Sequence, residues 1–238
     1  MADRSYNWDA IRQDLEGIRT HNAEFLPNTV LVGGAACWYY RLALSKAKDP
    51  DFSMPMYTPD QEKIWLSKDL DFMGESIEEI GQLIGQPCPP MGTLIEYAGA
   101  TLDFIAEGLI MTRRAANQTA RKAQAGDLTF YIASPSLLFS EKHACTLHKK
   151  NRPQDALHRE VLARFIKMEL CRSLEKPEEL DTKDWLSEAK ETKTADMRFF
   201  TRDAALQRRL HIAADRLGQE HRAIAHWIGH HVPRFGSA

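Results

Sequence analysis

TVLVGGAACWYYRLA, at residues 29–43, joins a short apolar run to a Gly-Gly pair and then to a second apolar stretch. The run Thr29–Val32 has the length of a short buried strand, Gly33-Gly34 is typical of a tight turn, and residues 35–43 are predicted to form a helix. Backbone N–H groups at the start of such a helix can face a polyphosphate, because glycine has no side chain to obstruct it. An ordinary strand-to-helix turn is the alternative.

Two later stretches carry aspartates between apolar residues: Lys68-Asp69-Leu70-Asp71-Phe72 and Thr101-Leu102-Asp103-Phe104-Ile105. Because side chains alternate between the two faces of a strand, Asp69 and Asp71 should point to one face, about 7 Å apart. An adjacent strand would bring Asp103 beside them. Three clustered carboxylates raise one another's pKa unless a cation neutralises them. Oxygen ligands suit Mg²⁺, with substrate phosphates completing its coordination. A solvated strand edge or a turn is the alternative for an Asp-x-Asp pattern alone.

The distribution of apolar and polar residues along the rest of the chain predicts an α+β protein with a small mixed β-sheet and flanking helices, followed by a C-terminal helical bundle. The first predicted domain, residues 1–135, carries the sheet, and the second, residues 136–238, is helical. Strands are expected at 68–73, 93–97, 101–106 and 128–133, and helices at the N-terminus, at 76–85, from 136 to about 170, at 201–218 and at 219–230. The prolines at 87, 89 and 90 should break the chain after the helix at 76–85.

Three stretches are expected to lack regular structure. Residues 48–60 contain three prolines and no apolar period, which predicts a loop and a candidate lid near the glycine turn. The polar segment from Arg113 to Gly126 is expected to be partly mobile. Pro177 and the charged stretch after it are expected to connect two helices.

Charge is distributed unevenly along the chain. Residues 1–111 hold 8 Lys and Arg against 17 Asp and Glu, whereas residues 112–238 hold 23 against 16. An enzyme that holds a nucleotide in one half and a polyanionic acceptor in the other would fit this division. A solvated helical surface of mixed charge is the alternative for the basic half.

Composition indicates a cytoplasmic protein. The sequence has neither an apolar run of about 18 residues nor the pattern of a secretory signal, so a membrane partner is not expected. The four cysteines are widely spaced and are expected to be reduced thiols rather than zinc ligands or disulfides. His226 and His230 should share a helix face, and surface or core histidines are expected there in preference to a zinc site.

The glycine turn and the acids, in this order, resemble the nucleotidyltransferase superfamily of the DNA polymerase beta type. Members have an apolar strand, Gly-Gly or Gly-Ser, a helix, an apolar-Asp-apolar-Asp-apolar strand, and a third acid between apolar residues. The matching residues here are Gly33, Gly34, Asp69, Asp71 and Asp103, and the resemblance covers about residues 28 to 170.

Within the superfamily the sequence is similar to the AbiEii-like branch, the toxin components of bacterial toxin–antitoxin and phage-defence pairs. The further matches are Ala35, Arg41, Ser67, Phe72, the segment Ala133-Ser134-Pro135, Lys142, and the stretch from Asn151 to Asp155. Two features depart from the branch: Gln154 stands where a Lys is usual, and residues 46–64 are longer and richer in Pro and Met.

The resemblance implies two-metal nucleotidyl transfer with Mg²⁺ or Mn²⁺ as cofactor. Asp69 and Asp71 would hold the ion that binds the triphosphate, and Asp103 would join them on a second ion that activates an acceptor hydroxyl. Gly33 and Gly34 would let the backbone approach the phosphates.

Four other residues have implied or alternative roles. Ser67 would hydrogen-bond a phosphate oxygen or a metal-bound water. Arg41 and Lys142 would neutralise the leaving pyrophosphate, and the alternative for both is a surface cation. Asp155 is expected to be an N-terminal helix cap, in preference to an acid behind the site.

Three hypotheses follow. The first is a metal-dependent nucleotidyltransferase that moves a nucleoside monophosphate from a nucleoside triphosphate to an RNA or protein hydroxyl, as a toxin-like component with an antitoxin protein as partner. The second is a degenerate nucleotide-binding sensing module without transfer activity. The third is a structural helical protein in which the acids are accidental, and the intact set of three aspartates argues against it.

Overall fold

The computed structural model describes residues 7–65, 69–85, 94–148 and 152–234. These residues form one six-stranded mixed sheet with helices around it and a helical C-terminal region, which confirms the predicted α+β class. Ser67, Thr93, Asn151 and the predicted proline break at 87–90 lie outside the described residues.

The elements follow one another along the chain. They are α1 (Trp8–His21), β1 (Val30–Leu31), α2 (Gly33–Ala47), α3 (Pro59–Ile64), β2 (Leu70–Met73), α4 (Ile77–Ile84), β3 (Ile95–Tyr97), β4 (Ala100–Phe104), α5 (Arg113–Thr119), β5 (Arg121–Ala125), β6 (Leu128–Ile132), α6 (Pro135–His148), α7 (Pro153–Glu175), α8 (Thr182–Ala195), α9 (Ala204–Ala214) and α10 (Arg222–His231). Short 3₁₀ turns lie at Leu26–Asn28, Pro177–Glu179 and Gln219–His221.

The order of the strands brings distant parts of the chain together. Across the sheet the order is β3-β4-β2-β1-β6-β5. The pairs β2–β4 and β1–β6 are parallel, and the other neighbours are antiparallel. In the β2–β4 pair, Asp71 lies directly opposite Asp103. Because β1 runs antiparallel to β2, the end of β1 and the turn after it lie beside Asp71.

Alternating burial holds the sheet in this register. Leu70 and Phe72 on β2 and Leu102 and Phe104 on β4 are buried, while the aspartates between them are half-buried on the other face. A slip of one residue would exchange these faces and bury the acids, so the apolar pattern specifies the pairing.

The helical region packs directly on the sheet-bearing part. Tyr40 of α2 contacts Phe165 of α7, with ring centroids 4.8 Å apart, and donates its hydroxyl hydrogen bond to the Ala133 carbonyl at 2.8 Å. Burying an aromatic side chain of this size contributes about 1.5–3 kcal/mol. One continuous cluster of buried apolar side chains runs from α1 to the residues after α10. Helices α2 and α7 are thereby packed against each other.

Two stretches for which no helix or strand was predicted contain regular elements, which the sequence analysis missed. Residues 113–125 form α5, which Thr112 caps by accepting from the Ala115 amide, and the edge strand β5, in which Ala123 is the one fully buried residue. The charged stretch after Pro177 contains α8, which buries Trp185, Ala189 and Thr192. All three elements bury so few apolar residues that their periods are weak in the sequence.

The loop predicted at residues 48–60 runs to Thr58, where a capping box begins α3. Its first part is held in place, because Asp49 accepts hydrogen bonds from Arg209 of α9 at 2.9 and 3.0 Å and Phe52 is buried. None of the described helices is long and apolar enough to cross a membrane.

Candidate functional site

Three carboxylates converge at the centre of the sheet. Asp71 on β2 and Asp103 on β4 face each other, and Asp69 lies one residue before β2. One carboxylate oxygen of each residue lies within 4.8 Å of the other two. The structure therefore brings together the three acids that the sequence predicted, from segments more than 30 residues apart in the chain.

Burial, with a smaller contribution from neighbouring carboxylates, raises the pKa of the acids on β2 and β4. Burial, followed by the charges of Asp69 and Asp103, raises the pKa of Asp71 to about 7, against the opposing effect of Lys142 and the Gly34 amide. Burial also raises the pKa of Asp103. In addition, Asp103 Oδ1 is shielded from solvent and has no hydrogen-bond partner among the described residues. An unpaired buried oxygen of this kind costs about 1–3 kcal/mol or more when charged.

A divalent cation fits these donors. It would remove the repulsion and give Asp103 Oδ1 a partner. All three donors are carboxylate oxygens, the ligand type taken by hard cations such as Mg²⁺, Ca²⁺ and Mn²⁺ rather than by metals that prefer sulfur.

The glycine turn lies against this cluster. Gly33 has φ of +63°, in the left-handed region, and a Cβ built on it would lie 1.7 Å from Asp71 Oδ2. The Gly34 amide is 3.4 Å from the same oxygen and donates to it. Any side chain at position 33 would displace the Asp71 carboxylate. The turn and the acids are thus one structural unit, with the N-terminus of α2 beginning at the carboxylates.

Lys142, on α6 of the helical region, lies near the carboxylates. Its Nζ lies 2.8 Å from Asp155 Oδ1, and both side chains are largely buried. Burial alone would lower the pKa of Lys142, but the carboxylates of Asp155 and Asp71 contribute to raising it. Its positive charge in turn lowers the pKa of Asp71. A cation is therefore held close enough to the acids to act on their ionisation.

Asp155 is not a helix cap, and that prediction is wrong. Helix α7 begins at Pro153 with Arg152 in the capping position, which places Asp155 inside the first turn. Its Oδ1 accepts from Lys142, and its Oδ2 is buried without a partner among the described residues. Because Pro153 favours the first helical position, the helix starts two residues before the acid.

Arg41 points into an aromatic box and does not contact the acids in the described part of the chain. Its guanidinium lies 4.5 Å from the ring centroid of Trp38, 5.2 Å from Tyr57 and 4.8 Å from Trp65. Its Nη2 lies 2.5 Å from Glu62 Oε1 of α3. The structure therefore joins Asp69, Asp71, Asp103, Gly33, Gly34 and Lys142 in one site and places Arg41 in a separate contact.

Two residues near the site were missed by sequence reasoning. His158 is buried on α7, its ring centroid 4.5 Å from that of Trp65, and neither ring nitrogen has a hydrogen-bond partner among the described residues. Burial and the charges of Lys142 and Arg41 hold its pKa well below the usual range, so the ring is neutral. His158 lies three residues after Asp155, on the same face of a helix, and this spacing was the available signal.

Glu141, next to Lys142, is the second missed residue. Its carboxylate accepts from the amides of Leu109, Ile110 and Met111 at 2.8–3.0 Å. Although burial favours the protonated form, these hydrogen bonds lower the pKa of Glu141. The loop that follows β4 is thereby fixed to α6, which holds Lys142 in a constant position relative to the strand of Asp103.

Comparisons of the chain with protein-family models, with curated proteins and with solved structures give no match. The geometry of the site and the resemblance of its motifs are therefore the grounds for any functional conclusion.

Proposed function

We propose that the chain is a metal-dependent nucleotidyltransferase that moves a nucleoside monophosphate from a nucleoside triphosphate to a hydroxyl group of RNA or protein. One observation carries the proposal: three carboxylates converge directly against a Gly-Gly turn at the start of a helix. Such a turn presents N–H groups to phosphates, and the carboxylates would hold the cations that accompany a triphosphate.

Each residue of the site has a role in this reaction. Asp69, Asp71 and Asp103 would hold Mg²⁺ or Mn²⁺. When bound, these ions stabilise charge on the phosphates and lower the pKa of the attacking hydroxyl. Gly33 and Gly34 admit the triphosphate to within hydrogen-bonding reach of the backbone. Positive charge for the departing pyrophosphate would come from Lys142, oriented by its buried partner.

The chemistry balances without a further reactant. The acceptor oxygen forms a bond to the α-phosphorus, and the bond from that phosphorus to the bridging oxygen of the β-phosphate breaks. Pyrophosphate leaves with the electron pair, and the hydroxyl proton is released to water. Positioning and electrostatic stabilisation account for most of the rate in this class of reaction.

The resemblance to AbiEii-like proteins supports a finer proposal, that the protein is a cytoplasmic toxin-like component of a toxin–antitoxin or phage-defence pair, with an antitoxin protein as partner. A second candidate function, nucleotide sensing without transfer, is favoured by Arg41. In an active enzyme of this branch a cation on α2 would face the phosphates, whereas this guanidinium is bonded to Glu62.

Transfer of label from each α-labelled nucleoside triphosphate to total cellular RNA and protein, with Mg²⁺ or Mn²⁺, tests the proposal. Wild-type protein is compared with Asp71→Asn and with the matched control Asp60→Asn, which replaces a side chain that is 90% exposed on α3. Label on one macromolecule with wild type and Asp60→Asn, absent with Asp71→Asn, is the expected result. Triphosphate binding without label would favour the sensing module, and no binding to any triphosphate would contradict both.

A further inference from the structure

A group of contacting side chains beside α2 and α7 holds buried polar atoms that form no hydrogen bond within the described part of the chain. Trp65 is at its centre, and we name the group the Trp65 cluster. The Arg41 guanidinium lies 4.8 Å from the Trp65 ring centroid, and the ring centroids of Tyr57 and His158 lie 5.9 and 4.5 Å from it. The shielded atoms without partners are Arg41 Nη1, Tyr57 Oη, Trp65 Nε1 and both ring nitrogens of His158. Because buried polar groups of native proteins are rarely left unpaired, these five atoms indicate an occupant that forms hydrogen bonds.

The cluster has more hydrogen-bond donors than acceptors. Arg41 Nη1 and Trp65 Nε1 can only donate. The neutral ring of His158 has one donor and one acceptor, and Tyr57 Oη can do either. A ligand that fits these groups accepts hydrogen bonds at several positions, as a ring bearing carbonyl oxygens does. Aromatic side chains around it favour a planar ligand, because a planar ring can stack on them.

The cluster lies close to the candidate metal site along two helices. Gly34, whose amide donates to Asp71, and Arg41 are seven residues apart on α2, so they share one face of the helix. Two turns of helix correspond to about 10 Å. On α7, His158 comes one turn after Asp155, whose carboxylate binds the lysine of the site. A nucleoside triphosphate with its phosphates at the glycine turn is long enough for its base to reach the cluster.

The segment that covers the cluster is weakly attached. Residues 54–64, which include α3, contain no buried side chain. Within the described ranges, one hydrogen bond joins this segment to another helix, that of Glu62 with Arg41. The loop before the segment is anchored, because Phe52 is buried in the core. The segment is therefore suited to move as a lid while the rest of the loop stays in place, and this movement would admit a ligand.

We propose that the Trp65 cluster binds the base of the substrate nucleotide, and that this base carries a carbonyl oxygen. The base would stack on the aromatic rings beneath α3 and accept hydrogen bonds from Arg41 and His158. Guanine, uracil and cytosine have a carbonyl oxygen, and adenine has none. The inference rests on the proposed function and deepens it, because it names the class of nucleotide that the same site selects.

Isothermal titration calorimetry with Mg²⁺ tests the proposal on the full chain. The ligands are non-hydrolysable analogues of GTP, UTP, CTP and ATP, together with inorganic tripolyphosphate, which has phosphates but no base. Stacking of a base on aromatic side chains strengthens binding roughly 5- to 150-fold. Wild type should therefore bind the three carbonyl-bearing analogues at least roughly 10-fold more tightly than tripolyphosphate, and more tightly than the ATP analogue.

Tyr57→Phe and His158→Phe remove polar atoms of the cluster and keep an aromatic ring. Each should weaken binding of the GTP analogue roughly 2- to 10-fold, the effect of one lost hydrogen bond, and leave tripolyphosphate binding unchanged. Tyr131→Phe is the matched control, because Tyr131 is an exposed tyrosine on β6, and it should bind every ligand as the wild type does. Thermal unfolding shows whether each variant is folded. Tyr57 is only half-buried, so its variant keeps the test valid if His158→Phe does not fold.

The outcomes separate this inference from the proposed function. A preference for the carbonyl-bearing analogues that the cluster variants reduce, with Tyr131→Phe unchanged, supports the proposal. Equal binding of tripolyphosphate and all analogues by wild type would overturn it while the proposed function stands, and internal water would then satisfy the shielded atoms. A preference that the variants leave unchanged would also overturn it, because the base would bind elsewhere.

Two further results concern the parts of the proposal. An ATP analogue that binds as tightly as the other three would overturn the assignment to a carbonyl-bearing base. Absence of binding by tripolyphosphate and by every analogue would contradict the proposed function itself, and this inference with it.

Discussion

Asp71→Asn should make the metal-free protein more stable at pH 8 while abolishing transfer. The pKa of Asp71 is about 7 in the fold, against roughly 3.9 for an aspartate in an unfolded chain. The folded state therefore holds this proton more tightly than the unfolded state. Stability falls as the pH rises from about 4 to about 7, because folding then requires an ionised carboxylate in an unfavourable place.

The size of the effect follows from the two pKa values. A difference of about 3 corresponds to about 4 kcal/mol once the group is fully ionised in both states. Asp71 is only half-buried, and solvent screening reduces this to roughly 2 kcal/mol. For a chain of this size 1 kcal/mol shifts the melting temperature by about 2–4 °C, so the variant should melt about 4–8 °C higher at pH 8.

Differential scanning fluorimetry at pH 5 and pH 8, in the presence of a chelator, measures the effect. At pH 5 the carboxyl is protonated in the folded state but largely ionised in the unfolded chain, so about a third of the effect remains, and the two proteins should melt within about 1–3 °C of each other. The control Asp60→Asn should match the wild type at both values. Addition of Mg²⁺ at pH 8 should raise the melting temperature of the wild type and not of Asp71→Asn, since only the former binds the ion. A variant less stable than the wild type at pH 8 would refute the argument that burial and the neighbouring carboxylates disfavour ionised Asp71 in the folded state.

Three further substitutions probe the supports of the site. Gly33→Ala should abolish transfer and should destabilise the protein more than Gly126→Ala. Both glycines have φ of +63°, but only at position 33 would a Cβ lie against a carboxylate. Equal decreases in melting temperature for the two variants would contradict the close contact between Gly33 and Asp71. Lys142→Met should lower the free energy of unfolding by about 3–5 kcal/mol, measured by urea denaturation, because it leaves Asp155 buried and unpaired. Adding Asp155→Leu should restore stability but not triphosphate binding. If the double variant binds triphosphate, Lys142 has no role in binding it. Glu141→Gln should lower the free energy of unfolding by about 1–3 kcal/mol above pH 5 and by progressively less as the pH falls, because hydrogen bonds hold the pKa of Glu141 low. A loss of stability that does not depend on pH would show that the charge of Glu141 is not its cause.

The sequence predicted those residues of the site that are marked by their immediate neighbours in the chain. An aspartate between apolar residues indicates a strand with one polar face, and this placed Asp71 and Asp103 correctly on β2 and β4. Their direct opposition depends on a parallel pairing of strands with some 25 residues between them, including all of α4 and β3. Such pairing is set by the packing of the whole sheet, and no single segment encodes it.

The remaining contacts of the site could not be predicted because they join separate elements. Arg41 lies in an apolar helical stretch, and this pattern does not indicate Glu62, its partner from α3. Glu141 binds three amides of a loop more than 25 residues earlier in the chain. His158 is distinguished by two buried ring nitrogens without hydrogen-bond partners among the described residues, which is a feature of its packing and not of its sequence position. In each case the signal is a tertiary contact rather than a sequence period.

Binding of Mn²⁺, followed by the electron paramagnetic resonance of the free ion, tests most directly whether the three carboxylates form a metal and nucleotide site. The titration is made at pH 8 with wild type, Asp71→Asn and Asp60→Asn, each with and without a non-hydrolysable nucleoside triphosphate. We expect that wild type and Asp60→Asn bind the ion, more tightly with the triphosphate present, and that Asp71→Asn does not. Equal binding by all three proteins would contradict it.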